Sequence, residues 1–211
     1  MADSYYTSRY VQNPDRHVVW KEIVQFLQSY IGTAQVVVDM GSGYCDFINN
    51  VSAQKRYAVD ISGDSGKFAG EGVEFIQDTL PRSLPSNSVD VVFASNLFEH
   101  LDDRELKDMM REVKRILKDG GQLILMQPNY RYSYKTYFDD PTHKKVFSHT
   151  ALEAFLVSHD LEIVKKFPKF LPFSLKSRPG IIPLSPWLVR MYLQSPIKPF
   201  AGQMLFVARK K

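Results

Sequence analysis

The sequence predicts a single α/β domain built on a mostly parallel β-sheet. Three observations lead there. Helix-like and strand-like stretches alternate along most of the chain, the pattern of repeated strand–helix–strand units. Several strand-like runs are short and continuously apolar, as in Val36-Val37-Val38, which fits strands covered on both faces. The 211 residues, 44% hydrophobic and 13% aromatic, suffice for one full core and hardly for two.

An opening helix is expected from Asn13-Pro14, with asparagine as cap and proline at the first helical position. Val19, Ile23, Phe26, Leu27 and Tyr30 then recur at helical spacing. The strand Val36–Val38 runs into Gly41-Ser42-Gly43-Tyr44-Cys45-Asp46-Phe47. A second strand, Arg56–Val59, ends at Asp60, and a third, Val73–Ile76, at Gln77-Asp78. A fourth, Val89–Ala94, ends at Ser95-Asn96. A long amphipathic helix is predicted over Asp102–Lys118. Leu106, Met109, Met110, Val113, Ile116 and Leu117 line one face, and Gly120 is expected to end it. Gln122–Met126 reads as a fifth strand. A polar, aromatic-rich insertion over 129–148 shows no period. A helix from His149 to Ser158 and strands at Leu161–Phe167 and Met204–Ala208 complete the pattern. Residues 168–201 hold seven of the twelve prolines and predict no regular element. Neither a repeat nor a second domain is expected.

Composition narrows the function classes. Cys45 is the only cysteine, which excludes an intrachain disulfide framework and a cysteine-based zinc site. The first ten residues lack the apolar core of a signal peptide. No window approaches the roughly 18 uninterrupted apolar residues of a membrane span. A cytoplasmic protein is the expectation. Net charge is only +4, but residues 163–211 carry ten basic groups and no acid, leaving the first 162 at −6. That basic segment is expected to meet an anionic partner: a phosphate-bearing substrate, an anionic membrane surface or nucleic acid. The other reading is a solvated basic face.

The carboxyl ends of the first strands are uniformly polar, where an open α/β sheet binds its ligand. Gly41-Ser42-Gly43 can turn tightly and present backbone amides. Asp60 stands nineteen residues past Gly41, placed to accept from two ribose hydroxyls. A dinucleotide turn would need a third glycine at position 46, which is Asp46. A pyrophosphate would meet a carboxylate there, whereas a cationic adenosine cofactor would not be repelled. The phosphate-cradling G-x-x-x-x-G-K-[ST] motif is absent as well.

These residues carry a resemblance. VVVDMGSGYC resembles motif I of class I S-adenosylmethionine-dependent methyltransferases, and FIQDTL their adenine-binding strand end. SVDVVFASNLFEHL is similar to their motif IV, and KDGGQLILMQPN to their strand-five motif. The likeness spans about residues 35–128, in the expected order. It implies a Rossmann-like, seven-stranded sheet with an antiparallel last strand and helices on both faces. It also implies S-adenosylmethionine as cofactor. Asp39, Gly41, Ser42 and Gly43 would hold the methionine end and the loop. Asp60 and Ile61 would meet the ribose, Asp78 and Thr79 the adenine, and Asn96 would lie beside the reacting centre. Cys45 departs from the usual small position of motif I.

On the acceptor side, methyl transfer to a hydroxyl needs alignment and a base. His100 follows Glu99 at the exit of the fourth strand, close to the expected reacting face, and is a candidate base, although similar Glu-His-Leu segments in these enzymes are often structural packing. His143 lies in FDDPTHKKVFSH, within the insertion where this fold commonly builds its acceptor lid. Asp139–His143 resembles a segment of bacterial methyltransferases associated with glycan and lipopolysaccharide assembly. Asp140 could orient His143 as base; otherwise the segment is a turn capped by Asp140, with His143 bonded to backbone. A metal site from Asp139, Asp140, His143 and His149 has no dedicated ligand spacing, so no metal is expected. The predicted reaction is methylation of a hydroxyl on a sugar or other small metabolite. The alternatives are an RNA or protein methyltransferase and a non-catalytic cofactor-binding module.

Overall fold

The computed structural model describes residues 14–172 and 185–211; the expected Asn13 cap lies outside them. Helix α1 runs Pro14–Ile31, β1 Val36–Met40, α2 Asp46–Asn50, β2 Lys55–Asp60, β3 Val73–Gln77 and β4 Val89–Ser95. Then follow α3 at Asp103–Ile116, β5 at Leu117–Pro128, α4 at Tyr130–Ser133 and α5 at His149–Ser158. Strand β6 at Leu161–Phe167, α6 at Pro186–Gln194 and β7 at Gln203–Lys210 close the chain. Short 3-10 turns occupy 63–68, 98–100 and 137–139.

The seven strands form one sheet in the order β3-β2-β1-β4-β5-β7-β6. β7 runs antiparallel to both β5 and β6, and the pairs from β3 to β5 are parallel. This is the class I methyltransferase topology that the motifs imply. Strand order reverses between β1 and β4, which opens a crevice beyond their carboxyl ends.

Alternation along the strands divides the core into two layers. Val38, Met40, Val92 and Ala94 face α3 and α5, through Leu106, Met110, Val113, Leu152 and Leu156. Val37, Val91 and Phe93 face α1, α2 and α6, through Ile23, Leu27, Phe47, Ile48 and Leu193. Phe47 stacks on Phe93 with ring centroids 3.8 Å apart, which anchors α2 directly behind the loop that follows β1.

Two elements differ from the sequence expectation. Helix α3 begins as predicted, with Asp102 and Glu105 forming a reciprocal capping box. It ends at Ile116, two residues early, and Gly120 does not cap it. Leu117 is fully buried and already pairs with Val89 as the start of β5. A further helical turn would pull that side chain from the core. The second difference is α6, inside the proline-rich stretch expected to be irregular. Ser185 accepts from the Leu188 amide and Pro186 takes the first turn, a start signal present in the sequence but masked by surrounding prolines. Arg190 of α6 makes a two-pronged ion pair with buried Glu22 of α1, both contacts at 2.9 Å.

Candidate active site

The loop after β1 is pinned to the end of β2. The amides of Gly41 and Ser42 both donate to the Val59 carbonyl, at 2.8 and 3.1 Å. Asp60 grips the same loop: one carboxylate oxygen accepts from Gly43 N and the other from Ser62 N, both at 2.9 Å. Gly41 and Gly43 adopt positive φ of 67° and 50°, so the turn depends on residues without a Cβ. Cys45 also sits in the left-handed region at 57° and is fully buried. It accommodates the departure from motif I through backbone strain, and burial pushes its thiol up to about 12.

Asp39 is buried behind the loop. Burial, then the charges of Asp60 and Asp46, push its carboxyl well above the usual range, opposed by the Ile48 amide. Asp46 opens α2 and is ion-paired with Arg16 of α1, whose guanidinium also lies 4.7 Å from the Tyr44 ring centroid. Nothing local in the sequence foretold Arg16, because the contact joins residues thirty positions apart.

The other predicted cofactor residues fall around the same crevice. Ile61 is 57% exposed directly after Asp60, an apolar surface beside the carboxylate. At the end of β3, Asp78 accepts from Thr79 N at 2.6 Å and pairs with Arg82 at 2.7 Å. Although partial burial pushes Asp78 up, Arg82 and the Leu80 and Thr79 amides hold it below the usual range. Asn96, at φ 49°, bonds Ser95 Oγ at 3.0 Å and accepts from Gln203 Nε2 at 2.9 Å. It thus ties β4 to β7, and Gln203 joins the site from a distance that no motif marks.

These residues suit S-adenosylmethionine. A carboxylate offers about four lone-pair positions, and the loop uses two on Asp60, leaving two for ribose hydroxyls. Among the described residues, the buried Ser42 Oγ has no hydrogen-bond partner. The charges of Asp60 and Asp46 destabilise that of buried Asp39 here. A sulfonium cation relieves that repulsion, and a phosphate would worsen it.

The exit of β4 gathers residues that the sequence held as alternatives. The Glu99 carbonyl accepts from the amides of Lys144 and Lys145, at 2.8 and 3.0 Å, docking the insertion against the exit of β4. His100 and His143 thereby meet with ring centroids 4.9 Å apart. His143 Nδ1 lies 2.6 Å from the Tyr137 carbonyl, so backbone orients this imidazole. Asp140 Oδ2 stands 3.9 Å from His143 Nε2, and Asp140 Oδ1 accepts from the Thr142 amide and hydroxyl, at 3.1 and 2.6 Å. The capped turn and the histidine cluster are therefore one structure. Asp139 ends the 3-10 turn before it. His149 is elsewhere, its Nδ1 3.1 Å from Asn129 Nδ2. Glu99, which the sequence reading treated only as a neighbour, is 1% exposed, and its carboxylate has no hydrogen-bond partner among the described residues. Burial pushes it up to about 8, with a contribution from the Asp140 charge.

The lysine-rich end of the chain lines a cleft of about 800 Å³ that includes Tyr30, Tyr132, Lys165, Lys166, Phe167 and Lys169. Part of its charge is compensated within the chain: Lys166 pairs with Glu153 and Arg190 with Glu22. Lys169 lies 4.6 Å above the Tyr132 ring. Lys176 and Arg178 lie outside the described residues.

Residues 38–125 match the family described as a methyltransferase domain. A SAM-dependent methyltransferase from Archaeoglobus fulgidus has a similar structure, with TM-score 0.64 and 23% identity over 89% of this chain and 93% of that one. So does geranyl diphosphate C-methyltransferase from Streptomyces coelicolor A3(2), solved with Mg2+, geranyl diphosphate and S-adenosyl-L-homocysteine. Its TM-score is 0.65 at 15% identity, over 90% of this chain and 80% of that one. A protein of Encephalitozoon cuniculi named as a methyltransferase is 28% identical over 108 residues, 50% of this chain and 51% of that protein. The chain thus spans about half the length of the curated relative it matches. Its fold is the class I fold of these S-adenosylmethionine-dependent methyltransferases, and the match to the methyltransferase-domain family lies within it, over residues 38–125.

Proposed function

We propose that the chain transfers the methyl group of S-adenosylmethionine to a hydroxyl oxygen of a sugar or other small hydroxylated metabolite. The observation that carries this reading is the meeting of His100 and His143 at the exit of β4, beside the cofactor crevice. Asp39, Gly41, Ser42, Gly43, Asp60, Ile61, Asp78, Thr79 and Asn96 would hold the cofactor, which contributes an electrophilic methyl group on sulfur. His143, with His100 beside it and Asp140 adjoining, would align the acceptor hydroxyl and take its proton. The insertion would exclude water from that hydroxyl.

The basic, aromatic cleft favours an acceptor bearing phosphate, such as a lipid- or nucleotide-linked sugar of glycan assembly. The Streptomyces enzyme of the same fold was solved with geranyl diphosphate, a precedent for an anionic small molecule. Radiolabelled S-adenosylmethionine incubated with sugars, sugar nucleotides, lipid extract and RNA tests the assignment. Label should enter a sugar-bearing fraction. His143→Ala should lower that turnover by roughly 10²–10⁴-fold while affinity for S-adenosylhomocysteine holds. Label in RNA or protein alone would replace this reading with a macromolecular methyltransferase. Cofactor binding without transfer to any acceptor would reduce the chain to a cofactor-binding module.

A further inference from the structure

We propose that Glu99, His100 and His143 form a binding site for a divalent first-row transition-metal ion, Zn2+ or one of similar preference. One ligand atom from each residue lies within 4.8 Å of the other two. A tetrahedral Zn2+ holds its ligand atoms roughly 3.4 Å apart at bond lengths near 2.1 Å, so small side-chain rotations close the set on an ion. Two imidazoles and one carboxylate are a recurrent set for such metals, with positions left open for substrate oxygen or water.

The hydrogen-bond network decides what each imidazole presents. His143 Nδ1 faces the Tyr137 carbonyl at 2.6 Å, which can only accept, so the proton sits on Nδ1 and Nε2 is the basic nitrogen. For His100 the reasoning passes through Thr142. The Thr142 hydroxyl has one proton and places it on the Asp140 carboxylate at 2.6 Å. Toward His100 Nδ1, 3.0 Å away, that hydroxyl oxygen must therefore accept. The Thr142 carbonyl, 3.3 Å from the same nitrogen, accepts too. His100 thus also carries its proton on Nδ1 and its lone pair on Nε2. Backbone carbonyls fixing the tautomer of each ring are the usual outer support of metal-binding histidines.

The third member is the independent observation. Glu99 is 1% exposed, and neither of its carboxylate oxygens finds a hydrogen-bond partner among the described residues. A buried carboxylate with no hydrogen-bond partner among the described residues, held beside two imidazoles, suits a cation. A divalent ion would pair with the carboxylate and take both imidazoles as ligands. The two imidazoles argue against Mg2+, which favours oxygen ligands and keeps its water. Resting on the proposed methyl transfer, an ion here would hold the acceptor hydroxyl beside the cofactor and favour its ionisation, replacing His143 as base because a coordinated Nε2 accepts no proton.

The test needs neither cofactor nor acceptor. The full chain, stripped with a chelator and dialysed, is titrated with Co2+ while visible absorption is followed, and with Zn2+ while thermal unfolding is followed. One equivalent of Co2+ should develop the d–d bands of a site with nitrogen ligands, and Zn2+ should displace it and raise the melting temperature. E99Q and H143N should each weaken binding at least tenfold, and H149N should leave it unchanged. Should E99Q fail to fold by circular dichroism, H143N carries the comparison. Absence of stoichiometric binding, or equal binding by the folded variants, overturns the site. A negative metal result with methyl transfer intact would remove the metal alone. Metal binding without transfer would remove only the proposed reaction.

Discussion

Replacing Asp60 with asparagine separates its two duties, and the structure sets the size of each. In the native loop one oxygen accepts from Gly43 N and the other from Ser62 N. Asparagine keeps the shape but has one acceptor oxygen, so one of the two amides faces an NH2 group. Leaving that amide unsatisfied costs about 1–3 kcal/mol, and the surviving bond loses its charge assistance. Removing this carboxylate also relieves Asp39, whose carboxyl it destabilises, so the net loss of stability should sit at the lower end. At about 2–4 °C per kcal/mol for a chain of this size, the melting temperature should fall by several degrees with the fold intact. The ribose loses at least one charge-assisted bond of about 1.5–3 kcal/mol, which means S-adenosylhomocysteine binding weakened by roughly 10- to 100-fold. Calorimetric titration with S-adenosylhomocysteine, beside a thermal melt, reads both. A folded Asp60→Asn variant that binds S-adenosylhomocysteine within twofold of the native chain would refute the placement of ribose on this carboxylate.

Neutralising Lys165, Lys166 and Lys169 together should weaken binding to a phosphate-bearing acceptor or anionic vesicles. The native interaction should fade as salt shortens the Debye length to about 3 Å near 1 M; equal binding and turnover at all salt concentrations would leave the cleft a solvated face. A pH-dependent stability effect is expected at Asp90, which accepts from the Gln35 and Val36 amides and pairs with Lys118. Burial pushes its carboxyl up, but Lys118 and the two amides outweigh it and hold Asp90 below its ordinary 3.8. The folded value being depressed, its stabilisation is present above 3.8 and disappears as pH falls through the folded value. Asp90→Asn should therefore cost about 1–3 kcal/mol at neutral pH. Denaturant melts of the two proteins should converge in acid; a constant difference down to pH 2 would contradict the ionic origin.

Much of the fold was legible because its causes are local. Helix α5 and strand β6 fall on the residues predicted for them, and α3 starts at the predicted Asp102, where the structure shows a capping box with Glu105. The glycine turn after β1 and the acid closing β2 are likewise written in neighbouring residues, since turn geometry and strand ends depend on a few adjacent positions. What the chain alone left undecided depends on contacts between distant segments. The end of α3 is set by the burial of Leu117 against β4, which outweighs the Gly120 stop signal. Helix α6 is held by Arg190 on Glu22, 168 positions apart. The same holds at the candidate active site: His100 and His143 read as rivals in the sequence because 42 residues separate Thr142 from His100. Only the docking of the insertion on the Glu99 carbonyl makes them neighbours. The Glu99 carboxylate is buried there without a hydrogen-bond partner among the described residues, a property no linear pattern records.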